Sequence, residues 1–146
     1  MTLNKLDIFL VMMLIDYFTG VSRSDISEQD LEIFYGLVIR DVRSKSPNAQ
    51  DQSLTESEKS LLYSNKDIWL YCLTTARKSV EFQLSQHRIT MRQKKSQIKL
   101  SFSDKSKKEI LDYIDQREVW KINAVKFLSL IERQQLYVKM LLNDEI

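Results

Sequence analysis

Two glycines and one proline in 146 residues leave this chain few places to turn sharply. Glycine supplies the positive-φ positions of tight turns, and proline the fixed φ of others. A sandwich of many short strands needs a turn signal about every 8–12 residues, so an all-β sandwich is not expected. Glycine-rich phosphate loops go with it. The sequence contains no G-x-G-x-x-G, no G-x-x-x-x-G-K-[ST] and no G-x-S-x-G, the motifs that cradle phosphates or expose a nucleophilic serine. Hydrophobic residues make up 43% of the chain and charged residues 29%. That is a globular balance, in a length suited to one domain. The expected fold is mainly α: a compact single domain over residues 1–146, with five or six helices and one β-hairpin near 88–102.

Helical periodicity supports most of this. The run Ile8, Phe9, Leu10, Val11, Met12, Met13, Leu14, Ile15 predicts a buried helix over 3–19, closed by Gly20. Eight apolar residues fall well short of the roughly 20 that a membrane span needs. With one lysine before the run and no small-residue cleavage pattern, it also does not read as a leader; the expected compartment is the cytoplasm. Ser27 and Asp30 offer an N-cap to a helix over 28–43, in which Leu31, Phe34, Leu37, Val38 and Val42 recur at spacings of three and four. Residues 44–54 carry the sole proline and almost nothing apolar, and are expected to be a flexible loop. Thr55 and Glu58 form a capping-box pattern ahead of a short helix at 55–63. A stripe of Trp69, Leu73, Ala76, Val80 and Leu84 then predicts a helix over 66–86.

Beyond this point the pattern changes. Arg88-Ile89-Thr90-Met91-Arg92 alternates, as does Gln97-Ile98-Lys99-Leu100-Ser101-Phe102, around a polar Gln93-Lys94-Lys95-Ser96 connection. Period two predicts strands, hence the hairpin. Ser103, Asp104 and the Ser106/Glu109 pair cap a following helix carrying Ile110, Leu111, Tyr113 and Ile114. A final helix holds Trp120, Ala124, Phe127, Leu128, Ile131, Val138, Leu141 and Leu142. Leu130, Leu136, Tyr137 and Met140 broaden its apolar stripe beyond one face, as in a helix that is central to a core or shared with another chain.

Charge is unevenly placed. Residues 77–108 hold ten Lys or Arg and two acids, a net +8 within a chain of net +2. Such a cluster repels itself unless solvent, acidic neighbours or a partner screens it. It reads either as a solvated face or as a surface for an anionic partner.

Catalysis finds little support. One His and one Cys exclude a multi-histidine metal site and an internal disulfide. Cys72 and His87 lie 15 residues apart, about 22 Å along a helix, too far to act as nucleophile and base. Cys72, beside Leu73 on an apolar stripe, reads as structural, and His87 as a helix-terminal cap. Asp112, Asp115 and Glu118 share a helical face that could hold a cation, but Lys108, Arg117 and Lys121 nearby can pair with them. No cofactor and no metal is expected, and the chain is not read as an enzyme.

Two functional expectations follow. The first is a non-enzymatic interaction protein (adaptor, chaperone, inhibitor or accessory subunit). It would bind a protein partner, or a second copy of itself, through the C-terminal helix at Leu130, Tyr137 and Met140, the basic segment, or both. The second is a winged-helix-like nucleic-acid binder whose basic hairpin at 88–99 contacts phosphates. In either case the binding residues are Arg88, Arg92, Lys94, Lys95, Lys99, Lys105, Lys107 and Lys108.

Overall fold

The computed structural model describes residues 27–47, 53–100 and 103–144. They form four helices: α1 Glu28–Ser44, α2 Glu56–Ser64, α3 Lys66–Leu100 and α4 Asp104–Asp144. No strand occurs among the described residues. The helix expected over 3–19 lies outside them, as does 48–52 of the expected loop.

Local chemistry sets the helix starts. Ser27 Oγ accepts from the Asp30 N–H at 3.1 Å, and Glu28 and Asp30 place negative charge in the first turn of α1, where it complements the helix dipole. Thr55 Oγ1 accepts from the Glu58 N–H while Glu58 Oε1 accepts from the Thr55 N–H, the reciprocal box expected from the sequence. α2 ends at Asn65, whose side chain donates to the Leu61 carbonyl, and α3 begins at the next residue. Ser103 caps α4, its Oγ accepting from the Ser106 N–H at 3.4 Å. The expected Ser106/Glu109 box is not the start, because α4 is already helical at Asp104.

Two expectations are corrected. Residues 88–100 are not a hairpin but the last third of α3. The alternation misled because two polar residues hid the helical period: His87, Met91, Lys94 and Ile98 recur at i, i+4, i+7 and i+11. His87 and Met91 are buried and Lys94 and Ile98 half-buried, whereas Ile89 is 49% exposed and Leu100 74%. A strand would have put Ile89 and Met91 on one face; in a helix they point apart. The supposed turn holds Gln, Lys and Ser, without the Gly or Asn that a tight hairpin wants, and Lys, Gln and Arg favour helix. The helix count falls for a similar reason. Nothing between Glu109 and Trp120 breaks a helix, so the last two expected helices are one, and the described residues contain four.

The chain divides into two compact units. One comprises Met1–Arg77 with Ser129–Ile146, the other Lys78–Leu128. In the first, α1, α2, the start of α3 and the end of α4 bury a shared core. Leu31, Val38 and Val42 of α1, Leu62 of α2, Cys72 and Leu73 of α3, and Ile131 and Val138 of α4 are essentially inaccessible. A buried polar chain ties three of these helices. Trp69 Nε1 donates to Gln134 Oε1 at 3.1 Å, and Gln134 Nε2 donates to Asp41 Oδ2 at 2.7 Å. Arg40 of α1 pairs with Glu58 of α2. Arg77 donates to Gln135, which donates in turn to Thr74.

The second unit is a pair of helical segments from α3 and α4. His87 meets Glu118 and Trp120, and Lys94 meets Tyr113. Residue numbers rise on one segment as they fall on the other, so the two run antiparallel. Of the described residues in this unit, His87 and Met91 alone are fully buried.

Candidate binding groove on the helix pair

The groove of the second unit is built by helical periodicity. On α3, Leu84, His87, Met91, Arg88, Arg92 and Lys95 fall on adjoining strips of one side. On α4, Glu118, Lys121 and Val125 recur at i, i+3 and i+7. Together these nine residues line a cavity of about 380 Å³, at the small end of the range for ligand sites. Leu84, Met91 and Val125 give it apolar walls. Arg88, Arg92, Lys95 and Lys121 contribute four cationic side chains, against the single carboxylate of Glu118.

His87 sits at the centre. Its side chain is 3% exposed and its ring centroid lies 5.4 Å from that of Trp120. Arg117 lays its guanidinium over Trp120, Cζ 4.1 Å from the ring centroid, a cation–π arrangement. Glu118 Oε1 approaches His87 Nε2 to 3.7 Å, too far for a hydrogen bond. Neither ring nitrogen of His87 has a hydrogen-bond partner among the described residues. Buried polar side chains nearly always find one; this imidazole lines a cavity with only the Glu118 carboxylate nearby, at ion-pair distance.

The expected binding residues divide. Arg88, Arg92 and Lys95 line the groove. With Lys99 they follow i, i+4, i+7 and i+11 spacing, so all four share one helical face. Lys94 is turned elsewhere, its Nζ 5.1 Å from the Tyr113 ring centroid. Lys105, Lys107 and Lys108 belong to the first turns of α4 and do not line the groove. His87 was expected as a helix-terminal cap; it lies well inside α3, because that helix continues to Leu100. Lys121 and Trp120 were not singled out as binding residues. The signal for them was the i, i+3, i+7 relation of Glu118, Lys121 and Val125 beside an aromatic.

The apolar positions expected to form an interface belong to the first unit. Leu130 is half-buried and Met140 exposed. Tyr137 is already engaged: its hydroxyl lies 2.7 Å from that of Tyr63, and its ring meets Trp69 edge-on. The shared hydrogen bond, then burial, pushes Tyr63 up to about 12. Burial raises the Cys72 thiol far above its ordinary value, leaving essentially no thiolate at neutral pH. Among the described residues, no three His, Cys, Asp or Glu side chains gather as metal ligands, and no helix is long and apolar enough to cross a membrane.

No family model, no curated protein and no solved structure matches this chain.

Proposed function

We propose that this chain is a non-catalytic interaction protein of the cytoplasm, and that it binds a protein partner through the helix faces of residues 78–128. One observation carries the reading. The two helical segments of this unit fully bury only His87 and Met91 among their described residues, while Phe82, Ile89, Leu111, Val119, Ile122 and Val125 stand exposed. Phe82 and Ile89 are two turns apart on one face of α3, and Val119, Ile122 and Val125 cluster on α4. Exposed apolar side chains grouped on a helix face, rather than scattered singly, are a recurrent mark of a protein interface. Ile122 and Val119 are solvent-facing, so changing them alters the surface and spares the core.

The test compares baits. Full-length protein and its Val119→Glu/Ile122→Glu variant are used to capture proteins from the native source, with circular dichroism confirming that both are folded. The reading expects defined partners, or a second copy of the chain, on the wild-type bait and their loss from the variant. Identical capture by both baits rejects it. A second reading has one observation in its favour: the row Arg88, Arg92, Lys95 and Lys99 could follow a phosphate backbone. The winged-helix arrangement falls with the hairpin, leaving non-specific phosphate contact. Anisotropy with duplex DNA at about 50 and 200 mM salt measures that contact, which weakens steeply over this range.

A further inference from the structure

We infer that the groove centred on His87 takes an acidic amphipathic helix of the partner, its carboxylates meeting the cationic walls and its apolar side chains the apolar lining. This rests on the protein-binding reading above and adds the chemistry of the occupant. Three features of the groove choose it.

The first is charge. Arg88, Arg92 and Lys95 line one wall and Lys121 the other, with Glu118 the one opposing group. The unit as a whole carries twelve Lys or Arg and six Asp or Glu, net +6. A ligand here is anionic by complementarity. The second is the imidazole. His87 is nearly fully buried, lines the cavity, and has no hydrogen-bond partner on either nitrogen among the described residues. A carboxylate oxygen entering the groove accepts from it, in place of Glu118, whose Oε1 stands at 3.7 Å, ion-pair range but longer than a hydrogen bond. The third is shape and polarity. The α3 wall from Leu84 to Lys95 spans eleven residue steps, about 16 Å or three helical turns. Its cations are spaced four and three residues apart, the ladder that glutamates at matching spacing on an opposed helix can pair with. Leu84, Met91 and Val125 give the groove an apolar lining that a phosphodiester backbone or a free inorganic anion leaves uncovered. A helix with leucines beside its glutamates covers it, in the helix-in-groove mode of recognition.

His87 is the chain's one histidine, so its ring C–H resonances report on the groove without assignment ambiguity. The probe is a synthetic helical peptide of about 14 residues, long enough to cover the wall, with glutamates at i, i+4 and i+7 flanked by leucines. Its partner is the same peptide with glutamine at those positions. Full-length protein is titrated with each, and with mixed-sequence duplex DNA. The acidic peptide is expected to move the His87 resonances and to bind about tenfold or more tightly than the glutamine peptide, from several charge pairs formed together with the exposed cations of the groove. Arg92→Glu/Lys95→Glu should weaken it by a similar factor. Lys126→Glu, an exposed change outside the groove, should alter it by less than about twofold. Unmoved His87 resonances, equal affinity for the two peptides, or displacement of the peptide by DNA with the same shifts at His87 would each overturn the inference. If these fail while Val119→Glu/Ile122→Glu still abolishes partner capture, the protein-binding reading stands and the acidic helix alone is wrong. If both fail, the reading itself is wrong.

Discussion

Gln134 joins three helices of the first unit, donating to Asp41 on α1 and accepting from Trp69 on α3. Gln134→Leu keeps much of its bulk but strips Asp41 of a buried donor and Trp69 of its acceptor. Unmade buried hydrogen bonds cost about 1–3 kcal/mol, and denaturant unfolding should show a loss of that order. Gly36 offers the opposite change. It lies inside α1, and a Cβ built there meets nothing within 4 Å. Gly36→Ala should raise stability by about 0.5–1 kcal/mol through helix propensity, read as a higher denaturation midpoint at unchanged slope. Glu58 gives a pH-dependent case. The Thr55 N–H and then the Arg40 side chain hold its carboxyl below the usual glutamate range. The unfolded chain therefore takes up that proton at a higher pH than the folded one. The stabilisation is present above the ordinary glutamate pKa and lost as pH falls through the folded-state value. Glu58→Gln should lower the melting temperature at neutral pH, and its gap from wild type should close in acid.

Among the elements, α3 separates what sequence displays from what it hides. The starts of α1 and α2 were legible because Ser27 and the Thr55/Glu58 pair are local devices whose partners sit three residues away. The course of α3 past Gln86 was not, because its inward positions are His87, Met91, Lys94 and Ile98, two of them polar. A pattern of apolar residues finds a helix only where the buried side is apolar. Here the buried side carries the chemistry, so the region that obscured the fold is also the candidate site. The basic residues themselves were plain in the sequence. Which of them converge was not, since a helix sends Lys94 away from Arg92 and Lys95. The helical assignment makes its own prediction. Gln93 is exposed in mid-helix, and proline there removes a backbone hydrogen bond and clashes with the preceding turn, costing about 3 kcal/mol or more. Gln93→Pro should lower helix content by circular dichroism and weaken the fold; in the turn of a hairpin it would be tolerated.

Across the whole molecule, positive charge concentrates in one unit, which among the described residues also exposes Phe82, Ile89, Leu111, Val119 and Ile122. Residues 78–128 carry net +6, while the remaining residues hold ten Lys or Arg against fourteen acids. Self-repulsion in a unit with so small a core is a cost that a partner of opposite charge relieves. Photocross-linking tests this account most directly. A benzophenone side chain is placed at Ile122 in the protein expressed in its native cell, with Lys59 on α2 as the control position. The account predicts a discrete protein adduct from position 122, absent from position 59. No adduct at 122, or one that nuclease removes, would contradict it.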